Sequence, residues 1–280
     1  MNLQKLIIDL TNYWDEYGCI IVQPHDLEVG AGTLHPETFF RILGEKPYNV
    51  AYVQPSRRPA DGRYGENPFR LMKHLQFQVI LKPSPIDVQE IYLKSLQYLG
   101  IDFAENDLRF EEDNWESPAI GAWGVGWQVL LNGMEITQFT YMQQAGSIEL
   151  NPISVELTYG LERIAMLINK VPSVFDVPYG GKLNYRDLRY WEENQVSKYY
   201  FEIANIEEME KQFEFYEKEA EICLQEGLIL PAYECALKLS HIFNILDARG
   251  AVSQTNRANM IGRIRRISFQ CANQYLRIEE

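Results

Sequence analysis

The feature that most restricts the fold of this 280-residue chain is a β-hairpin predicted in its N-terminal half. Its strands occupy residues 49–55 and 74–82, where β-branched, aromatic and aliphatic residues are concentrated. The connecting segment, residues 56–68, is rich in Pro, Gly and charged residues, as is typical of a loop. Loops of about a dozen residues are uncommon in compact domains, and those that occur are often functional. The hairpin tip is therefore the first candidate for a functional element.

The other patterns mix strands and helices without a regular alternation of the two. Apolar residues at helical spacing predict an opening helix that Gly18 ends, and a short strand at residues 19–23 follows and stops at Pro24. The further predicted elements are a helix at residues 86–99, two strands within residues 123–141 around the turn Asn132-Gly133, and a strand and helix within residues 153–168. This arrangement favours an α+β fold in which an antiparallel sheet is flanked by helices.

The composition changes after a stretch rich in Pro, Gly and Tyr near residues 171–185. Three long helical patterns follow, at about residues 196–224, 231–248 and 253–276. We therefore expect two parts: a catalytic-sized domain at residues 1–175, and a linker with a C-terminal helical domain at residues 176–280.

Charge is concentrated in this C-terminal part. Its glutamates are interpreted as a solvated helix face: Glu207, Glu208, Glu210, Glu214, Glu217, Glu219 and Glu221. Its arginines fit two interpretations equally, a second solvated face or a contact for RNA or an acidic partner: Arg257, Arg263, Arg265, Arg266 and Arg277. The whole chain has a formal net charge of -13 and a pI near 4.9, which repels a phosphate backbone. We expect the chain alone to bind nucleic acid weakly.

Composition also argues against several classes of protein. Hydrophobic content of 46% and charged content of 23% are ordinary for a folded protein. Acidic residues among the first apolar ones are unlike a secretory signal, and no apolar run approaches the roughly 20 residues that span a bilayer. The four cysteines form no CxxC pair, which argues against a disulfide framework and a structural zinc site. The expectation is a cytoplasmic protein without membrane contact.

Three segments in order resemble the signature motifs of class II aminoacyl-tRNA synthetases, and in detail they resemble the glycyl-tRNA synthetase α subunit family. The opening helix and the strand before Pro24 resemble motif 1. The segment YVQPSRRPADGRYGENPFRLMKHLQFQVILKP, residues 52–83, resembles motif 2, and ELTYGLERIAMLI, residues 156–168, resembles motif 3. Neither a P-loop nor a class I signature occurs in the sequence. The resemblance implies a class II catalytic domain at residues 1–175, self-dimerisation through motif 1, and an α2β2 assembly with a β subunit.

The resemblance assigns arginines to the phosphates of ATP. Arg57 and Arg58 leave the first hairpin strand together, and one of them is expected to contact the α-phosphate and stabilise charge in the transition state. The spacing does not decide which. Arg163, one turn into the motif 3 helix and away from its apolar stripe, is expected to reach the γ-phosphate and cover one face of adenine. These three arginines are the predicted catalytic residues.

Further contacts are implied at the tip and the return strand of the hairpin. Phe77 matches the aromatic residue that stacks beneath adenine in the family. Glu66 is assigned to ATP and Arg63 to the acceptor end of tRNA(Gly). On the strand near Asn132-Gly133, Glu135 is expected to bind Mg²⁺ that bridges the phosphates, with Gln138 assisting, because magnesium prefers one or two carboxylates together with phosphate oxygens.

Residues for glycine also follow mainly from the resemblance. A glycine site needs acceptors for an ammonium group and a wall that excludes even a methyl group. Glu156 is expected to bind the ammonium and occupy side-chain space, with Thr33, Trp115 and Gln76 lining the pocket. The histidines are interpreted as structural because they show no spacing suited to a metal and no nucleophile partner: His25, His35, His74 and His241.

The resemblance therefore implies a glycine–tRNA ligase subunit that forms glycyl-adenylate from glycine and ATP and, with a β subunit, transfers glycine to tRNA(Gly). Two alternatives are weighed against it. A catalytically silent class II paralogue, acting as a binding or regulatory module, would be expected to lose Arg163, Glu135 or the paired arginines. A helix-rich interaction protein would explain the acidic C-terminal helices but not the hairpin at residues 49–82.

Overall fold

The structure, a computed structural model, describes residues 1–279, without the side chain of Glu279. Within these residues eight strands form the main sheet, in the order β1-β2-β3-β8-β7-β6-β4 with β5 beside β6. The strands are β1 (Ile20–Ile21), β2 (Tyr48–Arg57), β3 (Lys73–Lys82), β4 (Leu108–Glu112), β5 (Trp115–Ser117), β6 (Ala122–Leu131), β7 (Met134–Ala145) and β8 (Ile148–Gly160). Strands β9 (Pro178–Gly180) and β10 (Leu183–Asn184) form a separate pair. Only β1 and β2 pair in parallel within the described sheet, so the predicted antiparallel α+β fold is confirmed.

Eight α-helices flank the sheet or form the C-terminal part of the described chain. They are α1 (Leu3–Tyr17), α2 (Pro36–Phe39), α3 (Val88–Tyr98), α4 (Leu161–Asn169), α5 (Tyr185–Lys198), α6 (Ile206–Gln225), α7 (Ile229–Ala248) and α8 (Gln254–Glu279). Helix α1 begins at the cap Asn2, whose side chain accepts from Lys5 N, and ends at Gly18 with φ of 103°. The predicted ending at Gly18 is thus confirmed, because a left-handed cap favours glycine.

The predicted hairpin is formed by β2 and β3, which pair over ten residues from Tyr48 opposite Lys82 to Arg57 opposite Lys73. The turn Asn132-Gly133 joins β6 to β7, with φ of 52° and 82° at its two residues, also as predicted. Strand β1 is shorter than the predicted residues 19–23. Beyond it, only Val22 N still bonds to β2, and His25 N bonds instead to the side chain of Gln54.

The sheet separates two hydrophobic cores. Successive side chains of a strand point to opposite faces, so Phe77, Val79 and Leu81 of β3 pack with α1, α3 and α4, whereas Ile80 joins the core on the other face. That second core includes much of α7, whose Tyr233 OH donates to Leu34 O. The C-terminal helices therefore share a core with the sheet. No helix among residues 1–279 is long and apolar enough to cross a membrane.

Basic residues of α8 pair with acidic residues of α6. Arg263 Nε donates to Glu217 Oε1 at 3.0 Å, and Arg266 donates to Glu217 at 3.0 Å and to Glu221 at 2.8 Å. Glu217 is buried, so its interpretation as part of a solvated face was wrong. For Arg263 and Arg266, the acidic partner is this chain's own α6.

Helix α5 lies where the sequence suggested a linker and was not predicted. Its residues YRDLRYWEENQVSK lack a continuous apolar stripe, and Leu188 and Trp191 are exposed. Its start is fixed locally, because Asp187 Oδ2 accepts from Asn184 N at 2.8 Å. The helix packs along the loop between β2 and β3, so the contacts that stabilise it are tertiary.

Candidate active site

A pocket of about 410 Å³ opens on the sheet face opposite α1, between the loop that follows β2, the ends of β3, β7 and β8, and the start of α4. The predicted site residues that line it are Thr33, Arg58, Gln76, Trp115, Glu135, Gln138, Glu156 and Arg163. Strand register explains their convergence: Gln138 of β7 and Gln78 of β3 lie on either side of Thr158 of β8, all in one row.

The closed end of the pocket contains Glu156, a buried carboxylate. Thr33 Oγ1 donates to its Oε1 at 2.5 Å, and Thr158 Oγ1 lies 3.1 Å from the same oxygen. The other oxygen, Oε2, is buried and makes no hydrogen bond with the described residues. Burial raises the pKa of Glu156, and the polar side chains of Thr33, Gln78 and Thr158 oppose that rise. Glu156 therefore lines the pocket with a buried carboxylate of which one oxygen has no hydrogen-bond partner among the described residues.

The position of Thr33 is set by the loop before α2. Gln76 Oε1 accepts from Gly32 N at 2.8 Å, and Tyr52 OH donates to Gly32 O at 2.9 Å. A Cβ at Gly32 would lie 2.6 Å from Gln78 Oε1, so the close approach of this loop to β3 requires glycine. Gln76 thus supports the loop that presents Thr33 to Glu156.

The open end contains Arg163 and Glu135. Arg163 NH1 donates to Glu135 Oε2 at 2.9 Å and to Glu135 O at 3.1 Å. Both side chains are partly exposed to the pocket. Gly160, where β8 passes into α4, places Arg163 on the sheet side of the helix. A cation and a carboxylate therefore lie together on the side of the pocket away from Glu156.

The two adjacent arginines at the end of β2 take different directions. Arg58 lines the pocket, and its Nε donates to Gly30 O at 3.1 Å. Arg57 does not line the pocket, and its NH1 lies 3.5 Å from Tyr200 OH. Of the two arginines, the structure places Arg58 with the other predicted site residues and Arg57 away from them.

The adenine assignment of Phe77 is also corrected. Phe77 is 1% exposed and packs edge-on against Tyr159 in the core beneath the sheet. Its neighbours at odd positions of β3 face that core, whereas His74 and Gln76 face the pocket. His74, interpreted as structural from the sequence, lines the pocket. Burial, and then the charges of Arg58 and Arg163, lower the pKa of His74 to about 3, so its ring is neutral.

Two predicted residues lie at the hairpin tip, outside the pocket. Arg63 NH1 donates to Ala60 O at 3.0 Å and to Gly62 O at 2.6 Å, so its guanidinium caps its own loop. Glu66 is exposed and does not line the pocket. The structure does not bring either side chain to the other site residues.

Several lining residues were not assigned from the sequence. Phe69 and Arg70 stand at the mouth, where Arg70 NH1 lies 3.9 Å from Asp61 Oδ1. Glu162 lies deeper, accepts from Leu75 N at 2.8 Å and from Tyr185 OH at 3.0 Å, and burial raises its pKa to about 7. Phe69 and Arg70 stand in the charged and aromatic loop itself, but no local pattern distinguishes a lining residue from an outward-facing one.

The expected magnesium site depends on which oxygen ligands lie near Glu135. Gln138 lines the same side of the pocket. No group of three or more His, Cys, Asp or Glu side chains suited to a metal is found in residues 1–279. The donor set at Glu135 and Gln138 therefore fits an ion whose remaining ligands come from phosphate and water, as magnesium sites often do.

A family model described as glycyl-tRNA synthetase alpha subunit matches residues 3–280. The chain belongs to this family. It is 54% identical over 280 residues to the glycine–tRNA ligase alpha subunit of Coprothermobacter proteolyticus, across 100% of this chain and 96% of that protein. The predicted family is thus confirmed, and the chain is an aminoacyl-tRNA synthetase subunit with the catalytic role of a glycine–tRNA ligase.

Two solved structures of the pyrrolysyl-tRNA synthetase of Desulfitobacterium hafniense are similar at a lower level. They superpose with TM-scores of 0.48 and 0.43 at 15% and 14% identity, over 65% of this chain and 74% and 75% of theirs.

Proposed function

We propose that the pocket forms glycyl-adenylate from glycine and ATP. The observation that carries this proposal is the separation of charge within the pocket. A buried carboxylate, Glu156, lies at the closed end, where one of its oxygens makes no hydrogen bond with residues 1–279, and two arginines, Arg58 and Arg163, line the open end. An amino acid bound by its ammonium group at Glu156 directs its carboxylate toward the arginines. A triphosphate bound at the arginines is then placed for attack.

Selection of glycine follows from the size of the closed end. Glu156 and Thr33 are both buried, and Trp115 supplies a wall beside them. A substrate with a side chain must displace one of these groups, whereas glycine needs no such space. Leaving the ammonium unpaired beside the buried carboxylate of Glu156 would also be costly.

Binding of ATP is assigned to the side chains at the open end. Arg58 contacts the α-phosphate, and Arg163 reaches the γ-phosphate and covers adenine. His74 supplies the aromatic face that Phe77 cannot, because its neutral ring lies in the pocket near both arginines. The assignment of Glu66 to ATP is kept as part of the proposal, and it requires the Glu66 side chain to move from the hairpin tip into the pocket.

The reaction needs no side-chain nucleophile. A carboxylate oxygen of glycine forms a bond to the α-phosphorus as the bond to the bridging oxygen breaks, and pyrophosphate leaves with that electron pair. A hydroxyl of the terminal ribose of tRNA then attacks the carbonyl of the adenylate, and AMP leaves. Arg58 stabilises the charge that gathers on the α-phosphoryl oxygens, and such preorganised donors supply a large part of the rate.

Mg²⁺ is assigned to Glu135 and Gln138 as part of this proposal. When bound, the ion neutralises phosphate charge and fixes the bend of the triphosphate. Glu135 would then exchange its contact with Arg163 for the ion, and Arg163 would turn to the γ-phosphate.

Transfer to tRNA is assigned to an assembly with a β subunit, in an α2β2 complex that dimerises through α1 and β1. The net charge of -13 disfavours RNA, and Arg263 and Arg266 already pair with Glu217 and Glu221. Arg63 at the hairpin tip is the predicted contact for the acceptor end. The silent paralogue is not favoured, because Arg58, Arg163 and Glu135 all line the pocket.

The test is ATP–pyrophosphate exchange by the purified chain with glycine or alanine. The proposal expects exchange that depends on glycine and is far weaker with alanine. Equal exchange with both, or none with glycine, would refute it. Charging of tRNA(Gly), measured with and without the β subunit at fixed salt, separately tests the need for a partner.

A further inference from the structure

The loop between β2 and β3 lies against helix α5. A Cβ at Gly65 would come within 2.7 Å of the Tyr190 ring, so the loop approaches the helix as closely as glycine allows. Tyr64 N donates to Ser197 Oγ at 3.2 Å, and Asn194 Nδ2 donates to Tyr64 O at 3.2 Å. The tip therefore takes its conformation from a helix outside the three class II motifs.

One carboxylate of α5 reaches further than the tip. Glu193 is 3% exposed, and its Oε1 accepts from Met72 N at 2.8 Å. The same residue, Met72, accepts through its carbonyl from Arg58 N at 2.7 Å. Glu193 is thus two hydrogen bonds from the backbone of Arg58, whose side chain lines the pocket.

The start of α5 holds the other end of the same segment. Tyr185, its first residue, donates from its hydroxyl to Glu162 Oε1 at 3.0 Å, and Glu162 accepts from Leu75 N at 2.8 Å. Residues 72–75 are therefore fixed at both ends by contacts that depend on α5. His74, which lines the pocket, lies between them.

The structure assigns to Glu193 a positioning role in adenylate formation, exerted through the Met72 peptide on Arg58. This assignment rests on the proposed function, in which Arg58 contacts the α-phosphate. Met72 N–H is buried and needs an acceptor, and without one the hairpin end that carries Arg58 loses its fixed place.

The surroundings of Glu193 support a role for its carboxylate. Burial raises the pKa of Glu193 to about 7, the backbone amides of Met72, Arg63 and Lys73 oppose that rise, and the neighbouring Glu192 adds to it. Glu192 itself bonds to the side chain of Lys73, not to the backbone of the loop. The two adjacent carboxylates therefore have separable contacts.

The test measures glycine-dependent ATP–pyrophosphate exchange by the full chain carrying Glu193→Ala or Glu193→Gln. We expect Glu193→Ala to raise the KM for ATP and lower kcat/KM for ATP by roughly 10- to 100-fold, the effect of losing one buried acceptor, with the KM for glycine unchanged. Glu193→Gln retains one acceptor oxygen for Met72 N and should recover most of this loss. The matched control is Glu217→Gln, a buried carboxylate of α6 that contacts Arg263 and Arg266 and does not line the pocket.

A role that is only structural predicts a different result. If the role is only structural, Glu193→Ala should lower the amount of active enzyme without changing the KM for ATP, and Glu217→Gln should behave like Glu193→Ala. Either result overturns the assignment. If Glu193→Ala does not fold, as judged by circular dichroism, Glu193→Asp must raise the KM for ATP for the assignment to stand, because its shorter side chain weakens the contact with Met72 N.

Combination with Arg58→Lys tests the route. If Glu193 acts through Arg58, adding Glu193→Ala to Arg58→Lys should cost little more than Arg58→Lys alone. Independent, multiplicative losses would overturn that route. Absence of exchange in the unmodified chain would instead refute the proposed function, so the two failures are distinguishable.

Discussion

Arg163 donates to Glu135 at 2.9 Å across the open end of the pocket, although 28 residues separate them in the chain. Arginine side chains commonly bind phosphate, and carboxylates commonly bind metal cations. The two side chains therefore suit different parts of a metal–nucleotide complex. Their ion pair holds both side chains at the pocket, and each serves as the hydrogen-bond partner of the other. Nucleotide binding would therefore be an exchange of partners at this position.

Replacement of Arg163 by alanine should abolish most glycine-dependent exchange without unfolding the chain. Loss of one preorganised charge donor typically costs about 100- to 1000-fold in such sites. The ion pair that is lost is partly exposed, and such pairs contribute little stability. The measurement is exchange rate together with the thermal midpoint. Arg109→Ala, which breaks the exposed pair with Asp107, is the control and should keep full activity.

Replacement of Glu156 by glutamine should act on glycine and spare ATP. Removing the charge of a buried acceptor typically costs roughly 2–5 kcal/mol, which corresponds to a rise in the KM for glycine of at least about 30-fold. Steady-state exchange with each substrate varied in turn measures both constants. A glycine KM within threefold of the unmodified value would place the ammonium site elsewhere.

Replacement of His74 and of Phe77 should separate the two sides of β3. His74→Ala removes the ring in the pocket and should raise the KM for ATP roughly tenfold, since stacking on a base is worth about 1–3 kcal/mol. Phe77→Leu leaves the pocket unchanged and should lower the free energy of unfolding by about 1 kcal/mol, as a small change of shape in a packed core does. Denaturant unfolding and ATP kinetics on both variants measure the two effects. If Phe77→Leu raised the KM for ATP and His74→Ala did not, Phe77 would again be the residue assigned to adenine.

The sequence predicts the sheet, the hairpin and the end of α1 because each depends on local patterns: alternation, turn residues and a glycine cap. Through motif resemblance it also predicts some of the lining residues, Glu156 and Arg163 among them. It does not predict which strand face meets the pocket. Phe77 and His74 differ by three positions and hence lie on opposite faces, and only the pairing of β3 with β8 fixes which face is buried.

Helix α5 shows a second limit of sequence analysis. Two of its buried residues, Glu193 and Ser197, serve hydrogen bonds to the loop, and Tyr185 joins the hydrophobic core at the first position of the helix. No apolar period therefore distinguishes it from a linker. Similarly, the sequence leaves the partner of Arg263 open because the pairing joins residues 46 apart, and helix packing brings them together.

Replacement of Arg263 by methionine should destabilise the C-terminal helices without changing exchange kinetics. Methionine retains an apolar stem beside Phe213, over whose ring the guanidinium lies at 4.7 Å, so the main loss is the charge contact with Glu217. The pair is only partly buried, so the expected loss of about 2 kcal/mol is below the range for breaking fully buried pairs. Lys211→Met, which removes an exposed pair with Glu208, is the control and should leave stability nearly unchanged.

The same substitution should change how stability responds to acid. Hydrogen bonds from Arg263 are the largest cause of the lowered pKa of Glu217, and the charges of Arg263 and Arg266 add to it. A lowered pKa in the folded state contributes stability that is present above the unfolded pKa and is lost as the pH falls through the folded one. The difference in free energy of unfolding between the unmodified chain and Arg263→Met should therefore be greatest near pH 7. It should shrink as the pH falls below the ordinary glutamate pKa of about 4.3, where Glu217 becomes protonated. Urea unfolding at a series of pH values measures it, and a difference that stays constant down to pH 3 would mean that Arg263 stabilises the helices by packing alone.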